Sequence, residues 1–526
     1  MFSGMSYTWM FALVTIGCVV LLVWRLVGPR RAVGCGMMLS LLVPEWVRWE
    51  PVLDVVWFNV TVSVAAWSLI LYLCHPLSTY NFKLNWCDYA GIGMVATHII
   101  SDSFNSGPGA VVLLRAYGEW MLPYLAGRVA IQEVGDARWL LPCAVGVTLI
   151  LATFGLLEMF IPGTNANIFE QLVQQQRGDE IRTPYDMHRT LGPIDLQRAY
   201  GPTHHPMYFG VLMFMLFPWM VYADSRAAKK KAPWWWRAMP YVCFVGVVSS
   251  ISRAPILAVP LAIYLMYLIL KPNWRPVLLG AGVVGIIALF LTWDKIQYAM
   301  ESIAREQNSD RMVKIHGKEF RFTGTSHRWL MFVAYGPALQ RTGPLGFGTA
   351  RCAHFPPDVP ENKGIPVEMF SVDNAFLLYS LRFGLLGFLC FSAMGIAAQW
   401  GYLKFALQPN VEGGVWLAAM ASTLAAMAFV LFTVWLPQDF GFFYLFCIGA
   451  SAGLWAEHDA PCIAALELRN QERSDRKGRR RRRHSRSPEE SAEESAEELD
   501  TTPEEPVVEE QQPSSRRRSR RSRTNE

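Results

Sequence analysis

The sequence predicts an all-α integral membrane protein, and three observations carry that expectation. Of its 526 residues 52% are hydrophobic and only 17% charged, and the mean hydropathy is +0.21 although the C-terminus is strongly polar. Apolar stretches of span length, roughly 17–25 residues, recur from Tyr7 to about Trp455. These stretches are continuous rather than alternating, and lipid admits only helices or closed barrels, so they are helices. The 20 Trp and 30 Phe suit aromatic belts at two membrane interfaces. Division into roughly three or four soluble domains, the prior for this length, is set aside.

The first run, 7–24, has no basic residue ahead of it and no small-residue cleavage site behind it, and reads as a retained anchor. Arg25, Arg30 and Arg31 follow it. Further basic clusters stand at 226–237, with Lys229, Lys230 and Lys231, at 271–275, and in the tail at 473–486. Short cytoplasmic loops collect Lys and Arg, so all four are expected inside. Residues 238–270 lie between two basic clusters and must cross an even number of times. Extended as one helix they would reach roughly 50 Å, too long for one crossing, which predicts two short helices meeting at Arg253-Ala254-Pro255 near the outer face. A span over 276–292, then helices near 374–403, 415–434 and 440–455, complete a bundle of about 12–13 spans; 32–47 and 111–131 are its weakest members. Loops 161–205 and 293–370 then share the outer side. The expected organisation is N-terminal helices over 1–110, a transmembrane domain over 111–460 and a charged tail over 466–526. The tail alternates basic, acidic and basic blocks and cannot bury a core. It is expected to be disordered and cytoplasmic, either a solvated end that fixes orientation or a contact for anionic lipid or cytoplasmic partners.

Cys18, Cys35, Cys143, Cys243, Cys390 and Cys447 lie in apolar runs, where cysteine acts as a small hydrophobe. Cys352 alone occupies the long loop, so no disulfide framework is implied. No ligand spacing for zinc appears, and no metal or cofactor is expected. The string Gly280-Ala281-Gly282-Val283-Val284-Gly285 matches a dinucleotide fingerprint by letter only. It lies inside an apolar span without the strand such a site needs, where small residues serve helix packing.

Polar residues that interrupt the spans are the functional candidates. Arg253 follows Ser252 at the break between two helices; an intramembrane arginine is costly and marks function, unless it snorkels to the interface. Its planar fork of donors suits phosphate oxygens. Arg198, His204 and His205 lead into the span at 207–221 and bring a second cation and two imidazoles to the same face, or else form an ordinary Pro/Gly turn. In the long loop, Thr325-Ser326-His327-Arg328-Trp329 opens a stretch of helical apolar spacing that ends in the glycine-rich turn 343–348. Then Asp373 and Asn374 stand at the mouth of a helix, with Arg382 about two turns inside it. Asp373 is either the helix N-cap or a general base.

Taken in order, the Ser252-Arg253 break, SHRW followed by GPLGFG, and DNAFLLYSLRFGLLG resemble the O-antigen ligase/polymerase family, multispanning bacterial inner-membrane glycosyltransferases. The resemblance covers about 111–455 and is strongest over 249–387. It implies metal-independent transfer of a glycan from an undecaprenyl-pyrophosphate carrier to an acceptor hydroxyl on the periplasmic face, with glycan donor, glycan or lipid acceptor and membrane lipids as partners and no nucleic acid. Arginines would neutralise the departing pyrophosphate and a base would take the acceptor proton. Arg253 and Arg198 match the family's phosphate-binding arginines best, Arg328 and Arg382 support them, and Asn374 and Ser252 would position acceptor or loop. Many family members have His-Asn where this chain has Asp373-Asn374. Aspartate, with an ordinary pKa of about 4, is a weaker base at pH 7 than histidine, so Asp373, His204, His205 and His327 all stay candidates. The departure leaves ligation and polymerisation both open. An exporter of polysaccharide or lipid-linked glycan is the competing expectation, and a structural membrane component using the tail is a third.

Overall fold

A computed structural model describes residues 7–44, 83–107, 109–161, 188–191, 194–292, 312–322, 326–352, 369–408, 413–437 and 440–455, with a few isolated residues between them. The chain divides into two units, 1–459 and 460–526, and every described residue belongs to the first. The tail expectation therefore lies outside the described residues.

The chain is a helical membrane protein. In order it forms α1 (Tyr7–Val27), α2 (Pro29–Ser40), α3 (Trp86–Ser106), α4 (Ala110–Ala116), a π-turn (Tyr117–Met121), α5 (Leu122–Ala130) and α6 (Val134–Phe160). A short hairpin, β1 (His188–Leu191) with β2 (Ile194–Gln197), precedes α7 (Pro206–Ala228), α8 (Met239–Ser249), α9 (Arg253–Leu270) and α10 (Arg275–Leu291). The loop beyond carries a hairpin of β3 (Met312–Ile315) and β4 (Lys318–Arg321), then α11 (Ser326–Arg341) and α12 (Gly348–Arg351). α13 (Ala375–Ala406), α14 (Gly414–Leu431) and α15 (Phe440–Trp455) close the bundle. Among the described residues five helices, α6, α7, α9, α13 and α14, are long and apolar enough to cross a membrane, and Phe440–Trp455 is a shorter apolar helix.

The centre of the bundle is α7, buried along nearly its whole length, which is the pattern of a helix hydrophobic all round. Trp219 of α7 meets Trp416 of α14 at 5.4 Å between ring centroids. α8 lies against α6 and α7, α9 along α14, and α13 along both α3 and α14. By contrast α10 presents Leu279, Val283, Val284, Ile287 and Leu291 outward, as a lipid-facing helix does. The glycine string 280–285 is part of this helix, not of a nucleotide loop.

α5 and α15 meet backbone to backbone. A side chain at Gly127 would collide with the Phe446 carbonyl, and one at Gly449 with the Tyr124 carbonyl, the close approach that small residues permit. Beneath this contact Arg128, 0% exposed, lies 3.0 Å from Asp88 and donates to the carbonyls of Ala452 and Lys83. Tyr124 donates its hydroxyl to the same carboxylate at 2.6 Å.

The stretch 111–131, expected as one span, is instead broken into α4, the π-turn and α5. The long loop, expected to hold a helix and a glycine turn, holds both and also a core of its own. Val313 and Ile315 of β3, Leu330, Met331, Ala334, Tyr335 and Ala338 of α11, and Cys352 pack on Leu377, Leu378 and Leu381 of α13. A folded cap thus sits on the first turns of α13.

Candidate functional site

Residues 238–270 fold as the expected pair, α8 and α9, but they join at Ser250, Ile251 and Ser252, and the Arg253-Ala254-Pro255 expected at the junction forms the first turn of α9. Ile251 takes a positive φ of 45°, which reverses the chain in so few residues. Arg198 lies across this break. Its Nε donates to the Ser250 carbonyl at 3.3 Å and its Nη2 to the Ser252 hydroxyl at 3.0 Å, and both side chains are buried. The Ala199 N–H donates to the Ser249 carbonyl at 3.0 Å. Arg253 opens α9 next to Ser252 and is half-buried.

The segment after Arg198 is held from below by a residue that sequence reasoning missed. Glu158, at the end of α6 and 1% exposed, accepts the N–H groups of Tyr200 and Gly201 at 3.2 and 3.0 Å. Its signal was an acidic residue inside a hydrophobic helix, a functional marker by default. The chain then reaches His205, whose Nδ1 accepts the Met207 N–H at 3.1 Å and caps α7. His204 precedes it, half-buried. Of the two imidazoles, His205 thus has a structural duty that occupies its Nδ1.

At the start of α13 the cap is Asn374, not Asp373. Asn374 is fully buried; its side-chain oxygen accepts the Leu377 N–H at 2.9 Å and its amide donates to the Phe432 carbonyl at 3.0 Å. The N-cap reading of Asp373 is corrected by one residue: Asn374 has the extended backbone a cap needs, and Asp373 stands outside the helix. Asp373 accepts from Arg328 at 2.9 Å and from the Ser371 hydroxyl at 2.7 Å. His327, beside Arg328, packs edge-on against Phe322 at 5.6 Å.

The two groups are joined by the chain that leaves α14. Trp435 donates its indole N–H to the Tyr208 hydroxyl at 2.7 Å, and the Tyr208 ring packs at a tilt against His205, 5.5 Å between centroids. One residue earlier, the Val434 carbonyl accepts the Ala375 N–H at 3.1 Å. The histidines at the head of α7 and the Asp373-Asn374 head of α13 therefore share one end of the bundle. Lys229, Lys230 and Lys231 follow the far end of α7.

Arg382 lies where α13 breaks. Gly384 has φ 66° and ψ −159°, a conformation no helix contains, and the glycine turn 343–348 fills the gap. The Phe347 N–H donates to the Leu381 carbonyl, while Leu385 and Leu386 donate to the carbonyls of Gly343 and Pro344. A Cβ on Gly346 or Gly384 would run into the opposite backbone at 2.5 Å. Arg382 Nε donates to the Cys352 carbonyl at 2.6 Å. Among the described residues no carboxylate forms an ion pair with it. Burial pushes the Cys352 thiol up to about 11, with the Arg382 guanidinium pulling the other way.

The structure thus brings Arg198 to Ser252, with Arg253 beside them, and Arg328 to Asp373, with His204 and His205 at the same end. The Arg382 guanidinium, without a carboxylate partner among the described residues and beside the break in α13, is suited to a phosphate-like anion. Residues 241–392 match the family model described as O-antigen ligase. No curated protein matches the chain. The matched stretch runs from α8 to the first half of α13 and includes Ser252, Arg253, His327, Arg328, Asp373, Asn374 and Arg382; Arg198, His204 and His205 lie before it.

Proposed function

We propose that the chain, residues 241–392 of which match the family model described as O-antigen ligase, is an inner-membrane glycosyltransferase drawing on an undecaprenyl-pyrophosphate-linked glycan. That match supports a role in surface polysaccharide biosynthesis. The acceptor hydroxyl oxygen forms a bond to the anomeric carbon, the carbon–oxygen bond to the pyrophosphate breaks, and the electron pair leaves with the phosphate. Arg198, Arg253 and Arg382 meet that developing charge, which is where fixed donors accelerate a reaction most. The acceptor proton passes to a base. Asp373 holds the position where family members have histidine, and the nearby His204 and His327 are its alternatives.

One observation carries the reading: Arg198 is bonded across a helix break inside the bundle, at Ser250 and Ser252, and Arg253 opens the helix beyond it. The transfer takes place on the periplasmic face, with the basic tail in the cytoplasm. Arg253→Ala is expected to abolish glycan transfer while the protein remains inserted and folded. Near-normal surface polysaccharide in that variant would sink the assignment.

A polysaccharide exporter is the second reading, because broken helices such as α13 also mark transport sites. Loss of a transferase leaves lipid-linked glycan on the outer leaflet, whereas loss of an exporter leaves it on the inner one.

A further inference from the structure

The face of α3 that meets the break in α13 is polar, although α3 is otherwise an apolar helix. His98, Ser101, Asp102 and Asn105 follow one another at i, i+3, i+4 and i+7, so they form a single stripe. Ser101 donates to the Arg382 carbonyl at 2.9 Å, one of the groups released where α13 unwinds. Asn105 reaches the Gly346 carbonyl at 3.4 Å. Asp102 accepts the Thr349 N–H at 2.6 Å through one oxygen and the Thr349 hydroxyl through the other. It therefore caps the short helix α12 from a different helix.

Behind Asp102 stands His98, both buried. His98 Nε2 lies 3.2 Å from the carboxylate, an ion-pair distance without the straight line of a hydrogen bond. Trp120 donates its indole N–H to His98 Nδ1 at 3.1 Å. An indole can only donate, so Nδ1 accepts and the ring proton sits on Nε2, towards Asp102. The carboxylate is thereby oriented from one side by His98 and spent on Thr349 from the other.

What this arrangement fixes is Arg382. α12 begins at the residues Asp102 holds, where Gly348 approaches so closely that a Cβ would lie 3.1 Å from the Asp102 carboxylate. It ends at Cys352, whose carbonyl takes Arg382 Nε. The line from α3 to the guanidinium is Trp120, His98, Asp102, Thr349, Cys352, Arg382. We infer that Asp102, oriented by His98, is a positioning residue for Arg382: it anchors α12 so that the Cys352 carbonyl aims the guanidinium, which pairs with no carboxylate among the described residues, at a pyrophosphate. Asp102 and His98 are too deeply buried to touch a substrate themselves, which separates them from the acid–base candidates. The inference rests on the glycosyltransferase reading for the identity of that anion.

The test is binding of undecaprenyl pyrophosphate to the full chain in detergent, with a double-mutant cycle. Arg382→Ala is expected to weaken binding about tenfold to a hundredfold, the loss of hydrogen bonds to a charged group. Asp102→Ala should weaken it comparably, Asp102→Asn less, because an amide oxygen still accepts the Thr349 N–H. Asp102→Ala added to Arg382→Ala should cost nothing more, a result that general loosening of the bundle would not give. Thr349→Val, which removes only the hydroxyl, serves if Asp102→Ala does not fold. Multiplying effects in the double variant, or full binding by Asp102→Ala beside a weakened Arg382→Ala, overturn the inference. Full binding by Arg382→Ala overturns it too, while leaving the glycosyltransferase reading to Arg253→Ala. If the unaltered chain itself does not bind the probe, both fall.

Discussion

Arg128 and Arg382 are arginines of one helical bundle, each bonded to a backbone carbonyl, and they differ in what faces the charge. Arg128 is enclosed where α3, α5 and α15 meet, with the Asp88 carboxylate at 3.0 Å and two carbonyls on its fork. Arg382, half-buried at the break of α13, has the Cys352 carbonyl and, among the described residues, no carboxylate. A buried charge is tolerated when paired, so the first arginine is a fastening between helices. The second retains its net charge, and retained positive charge is what an anionic leaving group requires. Neutralisation inside the protein, rather than the residue type, separates the structural arginine from the candidate functional one.

Removing a partner at the fastening is the strongest way to break this contrast. Asp88→Ala takes from buried Arg128 the carboxylate it pairs with and from the Tyr124 hydroxyl its acceptor. The expected destabilisation is about 3–5 kcal/mol, read as a large drop in thermal unfolding temperature in detergent or as loss of folded protein from membranes. An unaltered unfolding temperature would show that the pair is no fastening. Arg382→Ala should behave in the opposite way, losing pyrophosphate binding while unfolding near the temperature of the unaltered chain.

The sequence reveals one side of this contrast better than the other. Helices with long apolar runs are legible to within a few residues: 276–292 is found as Arg275–Leu291, and 440–455 as Phe440–Trp455. Span composition also pointed to Arg253, because a lone cation at a helix junction is visible in one dimension. Asp88 and Arg128 are 40 positions apart by number and nothing in the sequence links them; only the packing that Gly127 and Gly449 permit brings them together. The stripe at 98, 101, 102 and 105 was there to be read, since polar residues at three-and-four spacing on an apolar helix mean a polar face. What it faces is a loop nearly 250 residues later, and no local pattern supplies that. The cap at α13 illustrates the finest limit: Asp373 and Asn374 are both good capping types, and only the backbone at Asn374 decides between them.

Asn374 also sharpens the comparison, because the end of the bundle that carries the candidate site is tied together there by neutral groups. Asn374→Ala removes the cap of α13 and leaves the Phe432 carbonyl without its donor. The expected cost is about 1–2 kcal/mol, well below that of Asp88→Ala, and measurable by the same thermal unfolding. A loss as large as that of Asp88→Ala would mean that the two ends of the bundle are fastened equally.

The pair formed by Arg328 and Asp373 lies between the extremes and gives the smallest effect. Its charges are matched at 2.9 Å, as at Arg128, but both side chains are about a quarter exposed, 27% and 26%. Water screens such a pair, and partly exposed bridges of this kind contribute about 0–1 kcal/mol. Arg328→Ala is therefore expected to shift unfolding hardly at all. Its effect on transfer is the informative part. If Asp373 takes the acceptor proton, removing the cation that holds its carboxylate in place should lower the rate of transfer while leaving undecaprenyl pyrophosphate binding intact. A binding loss as large as that of Arg382→Ala would instead place Arg328 among the residues that meet the phosphate, and would show that a matched arginine at a half-exposed position can still serve the anion.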